Sequence, residues 1–219
     1  MIDTLITPEL FLQAIIDTLY MLGVALFFGS LLGILLGIAV VVTRPHGILP
    51  NRIVSVVLNA FINIVRSLPF IILLVAILPF TRMVAGSSIG TEAAIVPLTI
   101  MVAPFIGRLV ENSLLEVPEG IVEAAKSMGA TPVQVFTRFL LPEARGSLVL
   151  ALTTATIGLL DATAMAGTVG GGGIGDLAIS YGYQRFDGFA MLLTVVSLVV
   201  IVQLLQLFGT RLARRLRRR

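Results

Sequence analysis

Two stretches of this chain carry no charge at all: residues 18–43, 26 residues long, and residues 188–210, 23 residues long. An apolar helix needs about 20 residues to cross the hydrocarbon core of a bilayer, so both runs are long enough to span it. Residues 53–81 form a third candidate, interrupted by Arg66. A fourth covers residues 93–115, uncharged as far as Gly107 and continuing helically through Arg108, Glu111 and Leu115. The fifth, residues 146–167, is apolar except for Asp161. The expected fold is all-α and polytopic, with five transmembrane helices in a single transmembrane domain over residues 1–219.

Composition agrees with the spans. The chain is 57% hydrophobic and 12% charged, with mean hydropathy +1.05, whereas soluble domains are roughly 45–50% apolar and about 25% charged. It has no cysteine and one histidine, His46, so disulfides, thiolate metal sites and a histidine cluster are excluded. The net charge of +3 does not point to nucleic acid, because the basic residues gather at span ends and the C-terminus. The first seventeen residues hold Asp3, Glu9 and Asp17 but no Lys or Arg. A secretory signal needs a positive segment there, so the first span is expected to be retained.

Lys and Arg also predict orientation. Arg44, Arg52, Arg108, Lys126, Arg138, Arg145 and the terminal run Arg211, Arg214, Arg215, Arg217, Arg218 and Arg219 fall on one side of a five-span chain. The other side holds only Arg82 and Arg185. The positive-inside bias places the N-terminus outside and the C-terminus in the cytoplasm. The terminal arginines read as a stop-transfer anchor on anionic membrane lipid.

Between the spans at residues 93–115 and 146–167 lies a charged, helix-forming island, residues 118–142, expected on the cytoplasmic side. Ile121, Ala124, Ala125 and Met128 recur on one helical face. Pro118 is suited to start the helix, and Gly129 to end it in the left-handed conformation. Thr131 and Gln134 have capping-box spacing. A second helix is expected to stop near Leu141-Pro142.

Five other features stand out. The run Gly170-Gly171-Gly172-Gly173-Ile174-Gly175 is no phosphate loop, since no Gly-Lys-Ser/Thr follows. It reads as a hinge lining the outer mouth or as a structural turn. Asp161 within a span faces the bundle or a water-filled path; it serves either as a pathway residue near a substrate amine or as a structural partner for Arg66 or for backbone donors. Arg66 precedes Pro69, which is expected to kink span two. Gly29, Gly33 and Gly37 form a small-residue ridge for close helix packing, and Met165 lies one turn beyond Asp161 on the same face.

The order Glu123-Ala124-Ala125, three residues, Gly129, and then Phe139-Leu140-Leu141-Pro142 resembles the signature loop of bacterial ABC-importer permeases. Asn63-Ile64-Val65-Arg66-Ser67-Leu68-Pro69, Gly90-Thr91-Glu92-Ala93-Ala94, Ala103-Pro104-Phe105-Ile106-Gly107-Arg108 and Tyr181-Gly182-Tyr183 are similar to the permeases of methionine ABC importers. That resemblance covers roughly residues 15–210. It implies an ABC type I importer permease fold with five spans per subunit, a homodimer with one path at its two-fold axis, and residence in a bacterial inner membrane. It also implies a cytoplasmic ABC ATPase dimer that binds ATP and Mg, with no cofactor in this chain, and an extracytoplasmic methionine-binding lipoprotein. Glu123, Ala124, Ala125, Ser127, Met128, Gly129 and Ala130 would meet the ATPase. Met165, Asp161 and Arg66 would lie at the pathway or gate, although Asp161 stands where a small neutral residue is usual. The implied activity is alternating-access import of methionine, with no chemistry catalysed by this subunit. Competing readings are a permease for polar or basic amino acids, a lipid-acting intramembrane enzyme and a non-transporting membrane subunit.

Overall fold

A computed structural model of the chain describes residues 5–45 and 47–217. Asp3, His46 and the arginines Arg218 and Arg219 lie outside the described residues. Ten α-helical segments follow in order, and there is no strand among the described residues: α1 (Pro8–Thr43), α2 (Arg52–Ser67), α3 (Phe70–Ala76), α4 (Leu78–Ala85), α5 (Thr91–Leu115), α6 (Glu119–Ser127), α7 (Pro132–Gln134), α8 (Leu141–Gly167), α9 (Gly173–Leu177) and α10 (Gly188–Arg217). Val135–Leu140 and Ala178–Tyr183 are π-helical. Four continuous helices are long and apolar enough to cross a membrane: Pro8–Thr43, Thr91–Leu115, Pro132–Gly167 and Gly188–Arg217. Counting the bent pair α2 and α3 as one crossing gives five.

α1 starts ten residues before the charge-free run, because its N-terminus is set by a cap. Thr7 Oγ1 accepts the Leu10 N–H at 3.3 Å and the Thr7 carbonyl accepts the Phe11 N–H at 3.0 Å. Pro8 then occupies the first turn, where no donor is needed, and Glu9 complements the helix dipole.

The second span departs from the expected kinked rod over residues 53–81. α2 and α3 meet at 103°, and α4 follows after Ile77. Proline lacks an N–H and disfavours helical geometry at the residue before it, so the helix ends at Ser67 and restarts at Phe70 with Pro69 as its cap. The Pro69 carbonyl accepts from both Ile72 and Leu73 at 3.0 Å. Just before the break, Ser67 Oγ donates to the Asn63 carbonyl one turn back at 2.7 Å.

The expected stop at Leu141-Pro142 is corrected as well. The helix that begins at Pro132 runs through Pro142 to Gly167. The intervening π segment supplies the reason: the Leu141 N–H reaches the Phe136 carbonyl, five residues back. In that wider register, the ring and missing N–H of Pro142 fall beside a turn whose bonding is already shifted.

The chain packs as two compact units whose boundaries cut α1, α5, α8 and α10 in mid-helix. One comprises residues up to Gly29, Leu68–Val102 and Thr156–Gln206. Met21, Ala25, Leu98, Val102, Leu159 and Ile174 are fully buried there. The glycine run belongs to this unit and forms a tight structural turn. Gly170, Gly172 and Gly173 take positive φ. The Gly171 N–H donates to the Ala166 carbonyl at 3.0 Å, and the Ile174 N–H to the buried Thr18 hydroxyl at 2.8 Å.

The other unit comprises Ser30–Ser67, Ala103–Ala155 and residues from Leu207 onward. Its core includes Val40, Ile62, Ile106, Val110 and Val135. Here α1 and α5 approach so closely that a Cβ at Gly37 would lie 2.6 Å from the Gly107 carbonyl oxygen. The small-residue ridge is therefore a helix contact, at Gly33 and Gly37.

Candidate functional site

The island between α5 and α8 folds into a helical hairpin closed by its own local chemistry. Pro118 caps α6 in an extended conformation, φ −55° and ψ 131°, one position before the helix. Glu119 in the first turn and Lys126 in the last complement the helix dipole. At the far end Gly129 has φ 76°. Its N–H donates to the Lys126 carbonyl at 2.9 Å, and the Ala130 N–H to the Ala125 carbonyl at 3.1 Å. These two bonds satisfy carbonyls that the last turn leaves open.

One residue later the next helix is capped reciprocally. The Thr131 N–H donates to Gln134 Oε1 at 2.9 Å, and the Gln134 N–H to Thr131 Oγ1 at 3.4 Å. Each such cap contributes about 1 kcal/mol. The turn from Met128 to Pro132 is thus held from both sides.

The expected apolar face of α6 is divided. Ala125 is fully buried and Ile121 and Val122 are half-buried, but Ala124 and Ser127 are exposed. Met128 is 70% exposed, as is Val133 across the turn. The buried stripe is rotated toward Val122, which leaves Ala124 and Met128 on its outer edge. Glu123 is exposed and lines a cleft on the hairpin's inner side. The hairpin therefore presents small and apolar side chains to whatever lies beyond it.

A polar network that sequence reasoning passed over braces the same unit. Arg108 donates to Glu111 Oε2 at 2.6 Å and to Asn63 Oδ1 at 2.8 Å, joining α5 to α2. Ser147 on α8 donates to Glu116, next to the hairpin's first cap. The i,i+3 spacing of Arg108 and Glu111 was the available signal; Asn63 is 45 residues away from Arg108 and gave none. Arg66, at the end of α2, is exposed, with its guanidinium 5.8 Å from the Phe105 ring centroid, within cation–π range.

The other candidate pathway residues lie on α8 in the first unit. Asp161 and Met165 are exposed, as is Thr168 just past the end of the helix, whereas Ala162, Thr163 and Ala166 are buried. Met165 is 41% exposed, and Thr168 Oγ1 donates to its carbonyl at 2.7 Å. Asp161 has neither a hydrogen bond nor an ion pair among the described residues. A carboxylate and a thioether thus share one uncovered stripe of a span-length helix. Among the described residues no three His, Cys, Asp or Glu side chains are grouped to hold a metal ion.

Residues 29–219 match the sequence profile of the binding-protein-dependent transport system inner membrane component. The chain is 50% identical over 210 residues to a probable D-methionine transport system permease protein of Vibrio cholerae serotype O1, covering 96% of this chain and 93% of that one. It is 49% identical over 158 residues to the D-methionine transport system permease protein of Escherichia coli K12, covering 72% and 73%. Among solved structures, it is similar to a chain from the inward-facing conformations of the MetNI methionine ABC transporter. The TM-score is 0.93 at 46% identity, with 95% of this chain and 97% of that chain covered. This five-span, all-helical chain belongs to the family of binding-protein-dependent transport system inner membrane components and has the fold of an ABC importer permease.

Proposed function

We propose that this chain is the translocation subunit of an ATP-driven importer that carries methionine of either hand across the cytoplasmic membrane. The observation that carries this reading is the self-capped hairpin with Met128 and Val133 uncovered at its turn. A rigid, apolar-tipped element is suited to seat in a partner and to transmit its movement. In this reading two copies of the chain form one path, and an ABC ATPase pair binds ATP and Mg beneath the two hairpins. An extracytoplasmic methionine-binding lipoprotein delivers substrate. Nucleotide binding by the ATPases shifts the spans between two arrangements, which requires different contacts with the hairpin in each. The similarity to D-methionine transport system permeases supports methionine as substrate.

Asp161 and Met165 line the path in this proposal, and Arg66 braces its gate. A mid-span carboxylate facing lipid costs about 2.5–3.5 kcal/mol on insertion scales, which favours a watery surroundings for Asp161. There it attracts the ammonium group of the passing amino acid, while the soft thioether of Met165 suits an apolar side chain. Uptake of labelled methionine into vesicles holding the full complex is expected to be blocked by excess unlabelled methionine but not by lysine or arginine. Asp161→Asn is expected to slow uptake several-fold. Competition by lysine that disappears in Asp161→Asn would instead establish a permease for basic amino acids.

The orientation, N-terminus outside and hairpin in the cytoplasm, has its own test. The chain is free of cysteine, so single thiols can be placed without background. Ser87→Cys, exposed between α4 and α5, is expected to react with a membrane-impermeant maleimide in intact cells. Ser127→Cys, in the permease expressed without an ATPase to cover it, is expected to react only after the membrane is opened. The reverse pattern would remove the hairpin from the side where ATP is.

A further inference from the structure

A cleft of about 410 Å³ lies at the root of the hairpin, within the roughly 300–1,000 Å³ typical of small-molecule sites. It is formed by the end of α1 and the loop after it, the end of α5, and the inner side of α6. Both charge signs line it: Arg44 and Lys126 are cationic, Glu119 and Glu123 anionic. Arg44 Nε is buried without a hydrogen-bond partner. A charged donor left unpaired in a protein interior is costly, so an acceptor is missing there. Guanidinium groups suit phosphate and carboxylate oxygens in particular. An anion alone would also meet the two carboxylates, and an ammonium alone would meet Arg44. A molecule carrying both charges satisfies all four.

Depth and lining narrow the choice. α1 ends here at Thr43, directly after its charge-free run, and α5 ends beside it at Leu115, about two turns past the end of its own uncharged run at Gly107. The cleft therefore sits at the level where lipid headgroups begin. Val41, Ile48, Leu115 and Val122 supply apolar wall beside the charges. We infer that this cleft binds a zwitterionic phospholipid of the phosphoethanolamine type, its phosphate on Arg44 and its ammonium on Glu119 and Glu123. Because α6 supplies three of the four charged groups, the bound lipid stiffens the root of the hairpin and tunes coupling. The membrane level and the link to coupling rest on the proposed transport function; the binding itself does not.

A free amino acid shares the paired charges, so the experiment separates the two sources. The complex is reconstituted in phosphatidylethanolamine, phosphatidylcholine or phosphatidylglycerol, each mixed with the same neutral filler lipid. Retained lipid is then measured by native mass spectrometry after delipidation. Wild type is expected to keep phosphatidylethanolamine at least fivefold over the other two, since choline has no N–H to donate and glycerol has no cation. Arg44→Gln and Glu119→Gln are expected to abolish that preference. Glu119 is exposed on α6, so its exchange leaves folding intact. Where methionine uptake is present, it should be several-fold faster in phosphatidylethanolamine, and that dependence should vanish in both variants. Lipid retention is read even if no methionine is transported. Equal retention of the three lipids overturns the inference. So does retention by Arg44→Gln matching wild type, or saturable binding of free methionine that Arg44→Gln removes without any lipid preference.

Discussion

Met128→Asp is expected to lower methionine uptake by tenfold or more and to reduce the ATPase recovered with the purified chain. Met128 is 70% exposed at the hairpin turn, so the exchange removes little internal packing and should leave the permease folded. Burying a methionine side chain is worth about 1.5–3 kcal/mol, and each 1.4 kcal/mol is about a tenfold change in affinity. Replacing it with a carboxylate adds the cost of desolvating a charge. A backbone control separates shape from surface. Gly129 has φ 76° and nothing within 4 Å of where a Cβ would stand. A Cβ there meets no neighbour, yet left-handed geometry costs valine roughly 1–2 kcal/mol. Gly129→Val should therefore loosen the turn and impair uptake, whereas Gly129→Asn, which tolerates that conformation, should retain most of it. Normal uptake and normal ATPase recovery in both Met128→Asp and Gly129→Val would end the coupling reading.

That hairpin shows which parts of the molecule are legible in the chain alone. Its caps are local: Gly129, Thr131 and Gln134 act within five residues of one another, so spacing suffices to find them. The direction of its buried face is not local. It depends on which helices α6 packs against, and so Ala124 and Met128 were expected on a face that the fold leaves open. Proline shows the same division. Pro69 marks a break by its chemistry, but the 103° bend depends on what α3 packs against. Pro142 suggested a stop, because nothing in the sequence announces the π register that carries the helix through it. The start of α1 was available in Thr7-Pro8-Glu9, yet a charge-free window locates the hydrocarbon segment and passes over the cap. Asp161 was visible as an anomaly within a span; its place on an uncovered stripe with Met165 required the folded helix. The cleft beside Arg44 joins three separate segments and has no sequence signature.

The small-residue ridge on α1 was legible, but its partner was not, and the largest structural effect is expected there. Gly37→Ala should sharply reduce the yield of folded chain, and Gly37→Leu should nearly abolish it. A Cβ at residue 37 would stand 2.6 Å from the Gly107 carbonyl oxygen and 2.7 Å from the Val110 Cβ. At Gly33 it would stand 2.5 Å from the Ala103 carbonyl oxygen and 2.7 Å from the Ile106 Cβ. These neighbours belong to the backbone of α5 or are attached directly to it, so they cannot turn aside as the end of a long side chain would. The helices must separate, and overpacking of this kind costs about 1–3 kcal/mol for a single added carbon group. In a membrane that loss is not offset by hydrophobic burial, because lipid is as apolar as the contact; close packing itself holds helices together. Two exchanges grade the argument. Gly107→Ala brings a Cβ to 3.2 Å from the Leu36 Cβ, so a milder loss is expected. Gly23→Ala on the same α1 meets nothing within 4 Å and should be neutral or slightly stabilising, since alanine is favoured over glycine in helices by about 1 kcal/mol. Monodisperse yield in detergent and the thermal midpoint would rank the four variants. If Gly37→Ala and Gly23→Ala behave alike, α1 and α5 are not held by close approach. The consequence reaches the transport cycle, because α5 leads directly through Val117 and Pro118 into α6. A hairpin moved by an ATPase can shift the spans only if its root is fixed to a neighbour, and the contact at Gly33, Gly37 and Gly107 is where α5 is fixed to α1.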